Sequence, residues 1–333
     1  MSLVQRPLRT LILAAAVTLG VAVTAIVPAA EPASAATDSF RGVNWADARD
    51  NYVDGWVIPS GLTASDTYAT VTTKSNGILA GFRDRLGANT VRLPINPQSV
   101  NSSWWNAYRG TIDSALNGGM KVILSYWEAD NRKDGFVDDD AAWNTMWDTV
   151  TRDYGAKTSV YFEPMNEPFG YSLTNWVALC SNWMSRHSSI PRGRVVVSGT
   201  GYNDDVTGVG AAGALDGTLL SLHFYGFWAS STTRAEWTEN LRKRIGTHAS
   251  RTIIDEAGSP MTTGLTYTGK QDGNQFTSYF AALTDFARSN RMGVVYWPGL
   301  RTGDTYSITR QSGDGLAVTN ASGVTQLHWG WGL

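Results

Sequence analysis

Ser159-Val160-Tyr161-Phe162-Glu163-Pro164-Met165, closed by Asn166-Glu167-Pro168, is the stretch on which the fold turns. It is short, almost continuously apolar and ended by a proline, so it reads as a strand rather than a helix. Apolar character without alternation marks a strand buried on both faces, the situation of a parallel sheet. Seven other runs share this character: 42–45, 90–95, 121–127, 194–199, 219–225, 251–256 and 293–297. Helical periodicity fills the spaces between them. Ile78, Leu79, Phe82 and Leu86 share one face, as do Phe276, Tyr279, Phe280, Leu283 and Phe286. Helices are also expected over 175–187, with Trp176, Leu179, Cys180 and Trp183 on one stripe, and over 233–245. Eight strands alternating with helices predict an α/β protein closed as a (β/α)8 TIM barrel, with a doubly wound open sheet as the alternative.

Around that repeat the chain divides simply. Arg6 and Arg9 precede an apolar run to Val27, and Ala33-Ser34-Ala35 fits a small-residue cleavage site. Residues 1–36 therefore read as a secretory signal peptide, and residues 37–333 as one catalytic domain. The expected location is extracellular, after cleavage of the leader and without a membrane anchor. The segment after Trp297 is expected to hold a last loop, helix or strand pieces and a docked terminus. Hydrophobic residues make up 42% of the chain and charged ones 17%, enough for a large core. A formal net charge of −2 with no Lys/Arg run gives no attraction for nucleic acid or an anionic membrane. Cys180 is the single cysteine, so no intrachain disulfide forms. Fourteen Trp and 13 Tyr supply core rings and candidate platforms for sugar faces.

In a barrel, polar residues at the C-terminal ends of strands are the catalytic candidates. Those ends give Arg92 on the second strand, Asn166-Glu167 on the fourth, His223 and Tyr225 on the sixth, Asp255-Glu256 on the seventh and Trp297 on the eighth. A glycoside needs one carboxylic acid to protonate its leaving oxygen and one carboxylate to attack or to activate water. Glu167 and Glu256, on different strands, are the natural pair. Arg92 has a competing role, pairing with Glu163 inside the barrel, and Trp297 has one as core. Trp127 on the third strand and Arg301 near the mouth are further candidates for sugar contacts. Arg301 and Asp304 grip a terminal sugar in one reading and cap their own loop in the other.

At these residues the chain resembles glycoside hydrolase family 5, the cellulase-like family. Phe162-Glu163-Pro164-Met165-Asn166-Glu167-Pro168 is similar to its acid/base segment, and Ile253-Ile254-Asp255-Glu256-Ala257-Gly258 to its nucleophile segment. The resemblance runs from Gly42 to about Gly303. It implies a retaining mechanism, with Glu167 as acid/base and Glu256 as nucleophile. It further implies Asn166 on the hydroxyl beside the anomeric carbon and Tyr225 and Arg92 on the nucleophile. His223 would support the acid/base, and Trp297 would floor the reacting subsite. One departure stands out: where the family commonly carries a third-strand His, this chain reads Ile123-Leu124-Ser125-Tyr126-Trp127-Glu128. Contacts to the sugar on that side must differ.

The remaining signals point elsewhere. Gly208-Val209-Gly210-Ala211-Ala212-Gly213 matches a dinucleotide fingerprint in letters but lacks the strand before it and the acid after it. No G-x-S-x-G elbow or H-E-x-x-H motif occurs. The acidic stretch from Glu128 to Asp140 lacks the spacing of a calcium loop and reads as a solvated loop. No cofactor and no metal is expected. The expected partner is a carbohydrate, bound by a monomer. The expected function is retaining hydrolysis of poly- or oligosaccharides, glucanase- or mannanase-like, or exo-acting on a terminal sugar such as galactofuranose or arabinofuranose. The alternative is a non-catalytic carbohydrate-binding barrel, which would need neither glutamate.

Overall fold

The computed structural model describes Ser2, residues 37–313 and residues 315–333. The expected signal peptide lies outside the described residues. Eight strands form one sheet: β1 (Arg41–Trp45), β2 (Thr90–Ile95), β3 (Lys121–Tyr126), β4 (Val160–Glu163), β5 (Val196–Ser198), β6 (Leu219–His223), β7 (Thr252–Ala257) and β8 (Gly293–Leu300). Their order is β4-β3-β2-β1-β8-β7-β6-β5, and every ladder is parallel. Between the two outermost strands of that order, the strand pairing among the described residues is one isolated parallel bridge from Phe162 to Val195. The result is a nearly closed (β/α)8 barrel.

Helices Tyr68–Leu86, Trp104–Asn117, Asp140–Tyr154, Leu173–Arg186, Arg234–Ile245 and Gln275–Ser289 pack outside it. Side-chain acceptors hold several of their starts. Ser172 accepts from the N–H of Asn175, and Asn274 from those of Phe276 and Thr277. The C-terminal segment resolves into an antiparallel hairpin, β9 (Thr309–Ser312) and β10 (Gly315–Val318), and the helix Ala321–Trp331. Trp331 docks that helix by donating its indole N–H to Val294 O at 2.9 Å.

The barrel interior is layered by the period-2 alternation of strands. Phe40, Ile123, Val196, Leu219, Ile253 and Val295 form an apolar plug near the strand starts. Two residues further along, Ser125, Ser198, Ser221 and Asp255 face the same interior, as does Glu163 two residues after Tyr161. A further step gives Trp127 and His223, and Trp297 comes two residues after Val295. So apolar, polar and site layers follow one another up the barrel.

Two expectations need correction. Arg92 lies in the middle of β2, not at its end. The expected β4 run stops at Glu163, because Pro164 cannot donate to a ladder and Met165 to Glu167 leave the strand for the site. The glycine-rich 208–213 segment begins inside a short helix, Thr207–Ala211, in keeping with the reading that it is not a dinucleotide fingerprint.

Candidate active site

Arg92 is the hub. Its side chain is 1% exposed, and each guanidinium nitrogen is used. Nε donates to Glu163 Oε2 at 2.7 Å, and Nη2 to Glu163 Oε1 at 2.9 Å, a bidentate fork. Nη1 donates to Glu256 Oε1 at 2.5 Å and to Asn44 Oδ1 at 3.0 Å. Nη2 also reaches Ser125 Oγ at 3.1 Å and Asn166 Oδ1 at 2.8 Å. The two roles weighed for Arg92, pairing with Glu163 and holding Glu256, are thus carried by one side chain.

Strict alternation would put only one of Asp255 and Glu256 inside the barrel. Both reach it, because the ladders slip there. Leu222 pairs with Ile254 but His223 pairs with Glu256, and Ile254 pairs with Val294 but Ala257 with Tyr296. The extra residue is a bulge that turns the second carboxylate inward. Asp255 then stands 3.7 Å from Arg92 Nε and accepts from Ser221 Oγ at 2.5 Å. Glu256 accepts from Tyr225 O–H through Oε2 at 2.7 Å.

Glu167 arrives from the opposite wall with φ +49°, a left-handed conformation that L-residues rarely adopt and that stores about 1–3 kcal/mol. Its backbone N–H donates to Asn203 Oδ1 at 2.9 Å. Its Oε2 accepts from Tyr52 O–H at 2.6 Å, and Tyr52 in turn accepts from Asn166 Nδ2 at 3.1 Å. Its Oε1 lies 3.0 Å from His223 Nδ1, and the same nitrogen is 3.5 Å from Glu256 Oε2. Oxygens of the two glutamates and this nitrogen fall within 4.8 Å of one another.

The electrostatics follow from burial. Glu167 is pushed up to about 7, first by desolvation; the Tyr52 hydrogen bond and Arg92 oppose the rise, and Asp50 adds to it. Glu256 is not among the leading causes. Burial raises Glu256 too, with His223 and Arg92 opposing and Glu167 adding. Burial lowers His223 to about 4, so its ring is neutral at physiological pH. Two triads of acids with His223 come close enough to hold a cation, Glu163–His223–Asp255 and Glu167–His223–Glu256. The guanidinium of Arg92 already supplies the positive charge beside both.

Above these groups opens a cavity of about 450 Å³. Of the sequence-derived sugar contacts, Tyr225, Trp297, Trp127 and Arg301 line it, while Arg92, Asn166 and His223 lie beneath its floor. Trp127 and Trp297 stack at 5.6 Å between ring centroids and 20° between planes. Arg301 does both things weighed for it, facing the cavity and donating to Asp304 at 3.0 Å. Sequence reasoning missed Tyr52, Asn203 and Asn44. All three act through hydrogen bonds to groups more than 30 residues away. Asn44 interrupts an apolar run, and that polar residue was the one readable signal.

Residues 65–299 match the family model described as Cellulase (glycosyl hydrolase family 5). No curated protein sequence matches the chain. Among solved structures, the catalytic domain of the major endoglucanase from Xanthomonas campestris pv. campestris aligns with a TM-score of 0.66 at 17% identity, covering 90% of this chain and 98% of that one. An endocellulase from Pyrococcus horikoshii, in complex with cellotetraose, aligns with a TM-score of 0.67 at 15% identity, covering 88% and 92%. At such identities these likenesses speak for the barrel alone. The family match spans more than half of the chain, and the protein belongs to glycosyl hydrolase family 5, the cellulase family, and is a glycoside hydrolase.

Proposed function

We propose that the enzyme cleaves O-glycosidic bonds of poly- or oligosaccharides by double displacement with retention of configuration. The carrying observation is the close approach of Glu167 and Glu256, whose oxygens lie within 4.8 Å across His223 Nδ1. Retaining enzymes hold their carboxyls about 5–5.5 Å apart, whereas inverting ones leave about 6.5–9.5 Å for a water. In the first step a Glu256 oxygen bonds to the anomeric carbon, the glycosidic C–O bond breaks, and the Glu167 proton passes to the leaving oxygen. In the second, Glu167 takes a proton from water. The water oxygen bonds to the anomeric carbon and Glu256 departs as carboxylate. Arg92 and Tyr225 carry the charge of Glu256 in the resting state. The stacked Trp127 and Trp297 present an apolar floor to a sugar ring.

The sugars considered are β-1,4-glucan, β-mannan and furanosides. Cellotetraose in the Pyrococcus horikoshii complex favours the first as a starting substrate. The leader at 1–36, with its basic start, apolar run and Ala33-Ser34-Ala35 site, supports secretion of the domain as a single chain. The deciding experiment is NMR of the first-formed hemiacetal from an aryl glycoside. A retained anomer agrees with double displacement, and an inverted one refutes it; Glu256→Ala serves as the inactive control.

A further inference from the structure

The cavity over the two glutamates is closed by charge on one side and open over aromatic rings on the other. On the closed side Arg301, after β8, donates to Asp304 at 3.0 Å and stands 3.8 Å from Asp50, after β1. The backbone N–H of Arg301 donates to Ser307 Oγ at 3.0 Å, and Asp304 accepts from the N–H of Tyr306 at 2.7 Å, so neither is free to swing away. Arg301 and Asp304 also line a second cavity of about 420 Å³, with Thr262, Thr302, Thr305 and Ser307 among its other walls. The two cavities share these two residues. The catalytic cavity therefore ends at an ion-paired partition instead of running on as a cleft. Its volume of about 450 Å³ is low in the ~300–1,000 Å³ range of ligand pockets.

The open side lies across the ring. β4, which leads to Glu167, is four places from β8 in an eight-strand order, hence diametrically opposite. There Tyr202 is 50% exposed and stacked on Phe169, while Phe227, which follows β6, stands between the two sides, stacked on Tyr225 and edge-on to Tyr306 at 6.5 Å between centroids. Glu167 hands its proton to the departing portion of the substrate, so that portion lies on this aromatic side. The portion that becomes bonded to Glu256, which carries the non-reducing end, lies toward the charged partition.

We propose that the enzyme is exo-acting. Arg301, Asp304 and Asp50 bind hydroxyls of a single terminal, non-reducing sugar, while Tyr202, stacked on Phe169 across the ring, carries the rest of the chain. Guanidinium and carboxylate groups form the stronger, charge-assisted hydrogen bonds and match vicinal hydroxyls two at a time. The inference rests on the reading of the site as a retaining glycosidase.

The test follows reducing-end-labelled β-1,4-gluco- and β-1,4-manno-pentasaccharides, and 4-nitrophenyl arabinofuranoside, galactofuranoside, glucoside and mannoside, by chromatography and absorbance. Wild type is run beside Arg301→Ala, Arg301→Lys and Asp304→Ala. On whichever substrate is cut, wild type releases one unlabelled sugar first and turns over the matching monoglycoside. The alanine variants lose on the order of tenfold in kcat/KM on that monoglycoside, mostly through KM, the size expected for one charge-assisted contact. Arg301→Lys falls between them and wild type, because it keeps the charge and loses the fork. Labelled di- or trisaccharides as first products of wild type overturn exo action and leave the glycosidase reading standing. Variants equal to wild type overturn the assignment to the partition. No hydrolysis of any of these compounds by wild type overturns the parent reading, and this one with it.

Discussion

Asn203 Oδ1 accepts the backbone N–H of Glu167 at 2.9 Å, and this contact sets the proton on His223. With Oδ1 committed, the Asn203 amide nitrogen is the group that faces Ser221 Oγ at 2.6 Å and His223 Nε2 at 3.3 Å. Nε2 then accepts, and the single proton of the neutral ring sits on Nδ1, aimed at Glu167 Oε1. Asn203 is itself at φ +54°, a conformation Asn tolerates better than most residues. Asn203→Asp keeps the acceptor and removes the donor. It is expected to reverse the His223 tautomer and lower kcat/KM by roughly 10–100-fold with the fold retained. Imidazole 15N shifts and circular dichroism read the two effects separately; an unchanged tautomer would refute the chain of assignments.

The two glutamates should separate by their alanine variants. Glu256→Ala is expected to lower turnover on every substrate by more than about 10⁴-fold. Azide should restore it with an inverted product. Glu167→Ala should lose roughly 10²–10⁴-fold on poor leaving groups and much less on activated aryl glycosides, which need little protonation. Azide should speed that variant and give a retained glycosyl azide. Steady-state rates and NMR of the azides check both, and the reverse pattern would swap the roles.

Activity should fall on the alkaline side near pH 7. Glu167 donates only when protonated, and burial holds its carboxyl at about 7. Above that pH kcat/KM drops tenfold per pH unit, and Glu167→Gln should abolish the limb on activated substrates. The acid limb belongs to Glu256, which attacks only when ionised. Burial raises it, so that limb should begin above the ordinary carboxyl range. A pH–rate profile flat from 6 to 9 would contradict this.

Arg92 should be the least replaceable residue of the interior. Removing it strands Glu163 and Glu256 as buried carboxylates without a cation. Arg92→Ala is expected to cost about 3–5 kcal/mol of stability, measured by urea unfolding. A loss under 1 kcal/mol would show that the acids neutralise themselves.

Glu128 gives a pH effect independent of catalysis. It is buried, its Oε1 accepts from the N–H groups of Asp134 and Gly135, and its Oε2 has no partner among the described residues. Desolvation raises it from 4.5 to about 7. The folded state thus prefers the neutral acid, and this contribution is complete below pH 4.5 and lost as pH rises through 7. The linked free energy is roughly 3 kcal/mol at full ionisation. Between pH 5 and pH 8 the melting temperature of Glu128→Gln should fall less than that of wild type. Parallel curves would place the titration elsewhere.

The barrel was legible because buried parallel strands leave continuous apolar runs, and each of the eight fell on an observed strand. Glu167 and Glu256 were legible as acids that interrupt or end such runs. What stayed hidden depends on geometry that no local pattern encodes. Nothing around Tyr52 distinguishes a ring that hydrogen-bonds Glu167 from one that merely packs. The bulge between Ile254 and Ala257 leaves no Gly or Pro to announce it, yet it brings Asp255 and Glu256 inward together. The rise of Glu167 was hidden too, because its first cause, burial, depends on walls supplied by distant loops.

The single bridge between Phe162 and Val195 is the weakest joint of the ring. A hoop with one soft joint deforms there first, and this joint lies below the strand end that leads to Glu167 and beside the turn Thr200–Asn203. Opening it would part the acid from the residue that holds its backbone while the opposite arc, with Arg92 and Glu256, stays laced. In mechanical terms Glu167 stands at the hinge and Glu256 on the frame.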